Sequence, residues 1–285
     1  MTTKLLGACC WVLILAACDG ILPCAGESRP LVNLQVTETS DPEAFARVIA
    51  ELRARGIKAT ILVDADFATE NCATLQGLAA EGFELMAFAR PAATGDEVVT
   101  LSMLSYEEQF ALLSGVKTAV EGCLGKAIAG FRCYRFDQNE DSYAIADSLG
   151  FQFNLGFVAH TGRCLPGHED DTRPYRVPEY GFWAVPMHAA DFNGQWIAFC
   201  DMPFRSVVDA DGWSQLLKSE FDKAQSEGEP LIVEIHPYYS GVDEGRFNAF
   251  VSFLDYAVQK NASFLTIEEY VQWSQEHPAA DSASG

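Results

Sequence analysis

The sequence predicts an α/β fold, a distorted barrel in which parallel strands are covered by helices. Three observations predict it. Short apolar runs alternate with segments whose apolar residues recur at helical spacing, the order expected of strand–helix–strand units in a parallel sheet. Runs such as Phe83 to Met86 and Leu231 to Ile235 are mostly apolar, as strands covered on both faces must be. The chain beyond residue 18 is long enough for one sizeable core, and no compositional break marks a linker that would split it.

Leu31 to Thr37 reads as the first strand. Asp41-Pro42 then opens a helix, with proline where the first turn tolerates it, and Phe45, Val48, Ile49 and Leu52 recur at helical spacing until Gly56 ends it. Ile57 to Val63 is the next strand, followed by a helix through Leu75 and Leu78 to Gly82, and Phe83 to Phe88 is the third strand. Ser105-Tyr106-Glu107-Glu108 is a capping box at the head of a long helix that ends near Gly122. Further apolar runs at Ala127 to Phe131, Phe151 to Phe157 and Leu231 to Ile235 read as strands with helices between them. The Pro- and aromatic-rich stretch from Ala159 to Phe204 reads as an irregular elaboration over one mouth of the barrel.

The ends of the chain read differently. Lys4, the apolar stretch Leu5 to Leu15 and the Leu15-Ala16-Ala17-Cys18 lipobox make residues 1–18 a lipoprotein signal peptide, with Cys18 as the acylated residue. Residues 19–29 form a tether, 30–275 the globular domain and 276–285 a flexible tail. The expected location is the bacterial cell envelope, on a lipid anchor facing the periplasm or the exterior.

Forty acidic against nineteen basic residues give a formal charge of −21, which argues against nucleic acid or anionic lipid as a partner. The excess acid fits solubility, and a cationic ligand such as a partly deacetylated amino-sugar polymer would also suit it. Of nine cysteines, Cys9 and Cys10 lie in the signal and Cys18 at its end; Cys24, Cys72, Cys123, Cys133, Cys164 and Cys200 remain. An even number in an exported chain points to disulfides whose connectivity the sequence leaves open, and no C-x-x-C pair suggests a zinc knuckle or redox site. A bridge at Cys133 could pin an active-site loop.

Chemistry in a parallel barrel belongs at the C-terminal ends of the strands. Those ends carry Thr37-Glu38, Asp64, Phe88 to Ala92, Arg132-Cys133-Tyr134 and His236. With Arg-Gly-Ile-Lys-Ala-Thr at 55–60, the pair Gly82 and Glu84, Gly-Phe-Arg-x-Tyr at 130–134, His236-Pro237 and Thr266 to Tyr270, this ordered set resembles the NodB-type polysaccharide deacetylases, over nearly the whole domain.

The resemblance implies a (β/α) barrel of that type and hydrolysis of N-acetyl groups on surface glycans. A metal held by an aspartate and two histidines would activate water, an aspartate would act as base, and a late histidine would protonate the leaving amine. Carried over by position, Arg132 matches the family's base-orienting arginine and His236 the late histidine. Thr37 stands at the base position and Glu38 at the metal-aspartate position. Tyr134 falls one place early, with Arg135 where the motif has tyrosine. The two histidine positions read Phe88 and Ala92, neither of which has a lone pair to offer. The usual metal mechanism is therefore expected to be lost and no cofactor is expected; zinc returns only if the site has been rebuilt, with His188 as a possible relocated ligand. His160, His168 and the run Glu169-Asp170-Asp171 read as loop and solvated turn.

No Gly-x-Ser-x-Gly elbow, Gly-rich phosphate loop or His-Glu-x-x-His helix is present. Two functions remain. One is a glycan hydrolase with a rebuilt site around Glu38, Arg132, Tyr134 and His236. The other is a catalytically inactive pseudo-deacetylase that holds a polysaccharide or peptidoglycan fragment in the barrel cleft. Trp183, Trp196, Tyr238 and Tyr239 are its candidate stacking residues.

Overall fold

A computed structural model describes residues 29–92 and 97–278. The signal, the lipobox with Cys18, most of the tether including Cys24, and all but the first few residues of the tail lie outside the described residues. Eleven strands are formed by the described residues: β1 (Leu31–Glu38), β2 (Thr60–Val63), β3 (Glu84–Ala89), β4 (Gly130–Cys133), β5 (Phe153–Val158), β6 (Tyr175–Arg176), β7 (Trp183–Met187), β8 (Ala189–Phe192), β9 (Gln195–Ala198), β10 (Leu231–Ile235) and β11 (Ser263–Leu265). Nine of them make one curled sheet in the order β10-β1-β2-β3-β4-β5-β7-β6, with β11 added to β1, and only the β6–β7 pairing is antiparallel. β8 and β9 form a separate hairpin.

The helices that cross over between these strands are α1 (Pro42–Ala54), the pair α2 (Ala65–Glu70) and α3 (Cys72–Ala80), α4 (Tyr106–Leu124), α5 (Glu140–Ser148), α6 (Asp201–Phe204), α7 (Ala210–Glu227), α8 (Glu244–Gln259) and α9 (Ile267–Glu276). Asp41 caps α1 by accepting from the Glu43 and Ala44 amides, and Ser105 with Glu108 closes the capping box of α4, which ends on left-handed Gly125 rather than at Gly122. None of these helices is long and apolar enough to cross a membrane.

The pleat sorts side chains into two cores. Val32, Leu34 and Val36 of β1, with Ile61, Ala87, Phe131 and Val233, face the helices. Leu62, Met86, Phe88, Phe153 and Ile232 fill the barrel interior, where Ile267, Tyr270 and Val271 of α9 plug the end at which the strands begin. Glu84 belongs to that closed end. Its carboxylate accepts from Thr60 Oγ1 (2.6 Å) and from the amides of Ile267 (2.8 Å) and Glu268 (3.1 Å), so it caps α9 far from the strand C-termini.

Two expectations change. The stretch 159–204 is not merely irregular, since β7 inside it pairs in parallel with β5 and extends the main sheet. Cys133 is buried and unbridged; the disulfide among the described residues joins Cys72 at the start of α3 to Cys123 near the end of α4, with Cα atoms 5.3 Å apart.

Candidate functional site

At the open end of the barrel the same two-residue alternation decides which side chains meet. Thr37, Phe88, Arg132, Glu234 and His236 stand on interior positions at the ends of β1, β3, β4 and β10. Arg132 and Glu234 form an ion pair with side chains 3% and 1% exposed. Thr37 joins both: its Oγ1 donates to Glu234 Oε1 (2.5 Å) and accepts from Arg132 Nη2 (2.9 Å). The guanidinium carbon lies 5.1 Å from the Phe88 ring centroid and 5.0 Å from that of Phe136, so two aromatic faces hold it in place.

His236 carries the network onward. Its Nδ1 lies 2.6 Å from Asp201 Oδ1, while the other Asp201 oxygen accepts from the His236 amide (2.9 Å) and from Ser240 Oγ (2.5 Å). Its Nε2 faces Glu234 Oε1 at 3.3 Å. Burial acts to lower the His236 value, but the charges of Glu234 and Asp201 outweigh it and raise it above 6.5. Burial acts to raise Glu234, but Arg132 and His236 pull it below 4.5. The floor of the barrel mouth is thus a buried quartet of alternating charge, Arg132, Glu234, His236 and Asp201.

Above it opens a cavity of about 460 Å³. Arg132, Glu234, His236 and Cys200 lie at its base. Tyr134, Phe136 and Tyr238 supply aromatic wall, and Arg90, Arg135 and Arg205 stand on its rim. Arg135 and Phe136 both have left-handed backbone (φ 57° and 56°). Each costs roughly 1–3 kcal/mol in a non-glycine residue, and the turn presents both side chains to the cavity.

Three of the four site residues expected from the sequence, Arg132, Tyr134 and His236, therefore line one cavity; Glu38 does not. One residue beyond Thr37, it points to the opposite face of β1 and turns toward the start of α1. There its Oε1 accepts from the amides of Thr39 (2.7 Å), Ser40 (2.7 Å) and Asp41 (3.0 Å), a backbone-capping role. Burial raises its pKa in spite of those three donors. Asp64 likewise caps α2 through the Phe67 amide (2.9 Å).

Of the proposed stacking aromatics only Tyr238 lines this cavity. Trp183 begins β7 and so sits toward the closed end, Tyr239 lies beside Arg246, and Trp196 packs on His160 with centroids 4.2 Å apart beside a second hollow. His188 is not relocated to the mouth; its Nε2 lies 2.9 Å from Glu220 Oε2 on α7. His160 and His168 pair with Asp170 (3.1 Å) and Asp171 (2.6 Å) in their loop.

Cys200 and Asp201 lie at the end of the stretch that reads as irregular, and Arg205 one residue beyond it. Their signal in sequence is slight: Asp201-Met202-Pro203 is an acid-and-proline helix start, and only a parallel bridge between Cys200 and Glu234 sets that helix against β10.

The described residues can be compared with solved structures. An allantoinase named Puue superposes with a TM-score of 0.67 at 16% identity, covering 90% of this chain and 94% of that one. A probable polysaccharide deacetylase from Pseudomonas aeruginosa PAO1 gives 0.65 at 16% identity, with 88% and 93% covered. The chain has the polysaccharide deacetylase fold. A family 4 carbohydrate esterase described as a pseudoenzyme, from Bacillus anthracis, shares it with a TM-score of 0.53 at 13% identity, covering 86% of this chain and 66% of that one. No protein-family model and no curated protein sequence matches the chain.

Within this deacetylase-fold barrel, the resemblance would put metal-binding histidines at Phe88 and Ala92, where a phenyl ring and a methyl group stand. The one cluster of three potential metal donors among the described residues is Cys200, Glu234 and His236, whose ligand atoms lie within 4.8 Å of one another. Glu234 Oε1 is taken by Arg132 and Thr37 while its Oε2 has no partner, the charges of Glu234 and Asp201 raise the His236 pKa, and burial with the same two carboxylates raises the Cys200 thiol well above 9.0. The donor set fits a divalent cation poorly, because that ion would lie against the Arg132 guanidinium.

Proposed function

We propose that this chain is a cell-envelope protein that binds glycan in the mouth of a deacetylase-type barrel without running the metal-dependent deacetylation that the fold is associated with. The observation that carries this reading is the position of Arg132. A guanidinium clamped by Phe88 and Phe136 and paired with Glu234 supplies permanent positive charge at the strand ends, beside the position where a metal is expected. Tyr134, Phe136 and Tyr238 offer faces for a sugar ring above it. The lipobox at Leu15 to Cys18 supports an envelope location and a lipid anchor.

A second reading, hydrolysis of N-acetyl groups, is favoured by one feature. His236, held through Nδ1 by Asp201, is a histidine oriented by a buried carboxylate whose charge, with that of Glu234, raises its pKa, the direction that favours a general acid. Opposite it among the described residues, Thr37 is a hydroxyl and the Glu234 carboxylate is paired with Arg132, which disfavours either as a general base.

The two readings separate on purified protein. Elemental analysis is expected to show no stoichiometric zinc, cobalt or nickel, and N-acetylated chitin oligomers and peptidoglycan fragments are expected to release no amine. Those fragments should bind, more weakly after Tyr134→Ala or Tyr238→Ala. Amine release that disappears in His236→Ala would instead establish the hydrolase.

A further inference from the structure

The cavity has the opposite charge to the protein that surrounds it. The chain carries −21 overall, yet four arginines (Arg90, Arg132, Arg135 and Arg205) and one carboxylate, that of Glu234, line the barrel mouth. Glu234 is consumed by Arg132 below. Among the described residues no carboxylate pairs with Arg90, Arg135 or Arg205, whereas most other arginines have one. Arg90 gives one N–H to Thr39 Oγ1 (3.0 Å), and among the described residues the Arg205 side chain donates to the Met202 sulfur (3.7 Å). Two guanidinium groups lie near the Tyr134 ring, that of Arg90 at 5.4 Å and that of Arg135 at 5.5 Å from its centroid. At the base, Arg132, which is 2% exposed, keeps Nε and Nη1 without a hydrogen-bond partner. Buried donors on a charged group rarely stay unmet, and these two, on different edges of the guanidinium, leave room for acceptor oxygens of a ligand in the cavity.

We infer that the ligand of this pocket is anionic: a saccharide bearing a carboxylate or phosphate, with the anionic group held by Arg90, Arg135 and Arg205 and the ring laid against Tyr134. The saccharide part rests on the glycan-binding reading above; the anion part rests on the arginines alone. The acidic exterior does not weaken this. A concave, low-dielectric mouth focuses the positive field of the arginines that line it. A deacetylated, cationic amino-sugar polymer, which the overall charge would have suited, is the ligand this pocket repels.

The test is titration calorimetry of the full mature protein with D-glucuronate, D-glucose, glucose 1-phosphate and citrate, at low and at physiological salt. R135Q and R205Q are rim variants, and R176Q, outside the cavity, is a control; thermal melts check that each variant remains folded. Glucuronate or glucose 1-phosphate should bind at least about tenfold more tightly than glucose, the size of one charge-assisted hydrogen bond. The preference should shrink with salt and fall about tenfold in R135Q and in R205Q but not in R176Q. Whichever of the two acidic sugars binds more tightly identifies the group recognised. Equal binding of glucose and both acidic sugars, unchanged in the rim variants, overturns the anion site and leaves glycan binding standing. Citrate binding that needs Arg135 and Arg205, with no affinity for any sugar, keeps the anion site and removes the saccharide. No binding of any of the four probes overturns both.

Discussion

Arg132 and Glu234 stand on strands four places apart in the sheet, β4 and β10, and meet across the barrel mouth in an ion pair that Thr37 stitches from β1. The pair is bonded on one side only: Glu234 Oε2 and two of the Arg132 nitrogens have no partner. Such a pair is weak evidence for stability, yet breaking it from one side strands a buried charge.

Removing one partner should therefore be far worse than removing both. Arg132→Met or Glu234→Gln alone is expected to cost about 3–5 kcal/mol, on the order of 10 °C in Tm for a domain of this size. The double variant R132M/E234Q should recover most of the loss. Calorimetric melts of the three proteins check this, and additive losses in the double variant would contradict it.

The charged quartet gives stability a pH window. Glu234, held below its ordinary 4.5, contributes fully above that value and loses its contribution as pH falls through its lowered pKa. His236, held above its ordinary 6.5, contributes fully below 6.5 and loses its contribution as pH rises through its raised pKa. The network is therefore most stabilising between those two ordinary values, and Tm should decline on both sides. His236→Gln should flatten the alkaline decline and leave the acid one reduced, since Arg132 still lowers Glu234 without the help of His236. An alkaline limb unchanged in that variant would show that the histidine is neutral in the folded protein.

Glu38 is expected to matter to the fold and not to the ligand. Glu38→Ala leaves the amides of Thr39, Ser40 and Asp41 without their acceptor and should cost about 2–3 kcal/mol. Affinity for any ligand of the mouth should stay within a factor of two or so, since the side chain faces away from the cavity. Loss of binding with an unchanged Tm would reverse that assignment.

The Cys72–Cys123 bridge closes a segment of sequence separation 51 that contains β3 and the loop leading to α4. Its removal in C72A/C123A should cost about 4 kcal/mol by the loop-entropy relation. Chemical denaturation under oxidising conditions measures it, and reductant should lower the wild-type midpoint to near that of the variant.

Much of the architecture could be read from the chain because local periodicity carries it. The strand runs at Leu31, Phe83 and Leu231, the helix opened by Asp41-Pro42 and the capping box at Ser105 are each determined within a few residues, and their alternation implies a parallel sheet. That Phe88 and Ala92, and not histidines, stand at the end of β3 is likewise a matter of residue identity alone. The partners of the site needed the folded chain. Whether Thr37 or Glu38 faces the interior depends on a one-residue choice of pleat, which motif position does not settle but which pairing of β1 with β2 and β10 does. Asp201 reaches His236, and Arg205 joins Arg90 and Arg135, only because a segment with weak local signals is laid against β10. Net charge belongs to composition, whereas a positive mouth on a negative protein is a property of where four arginines come together in space.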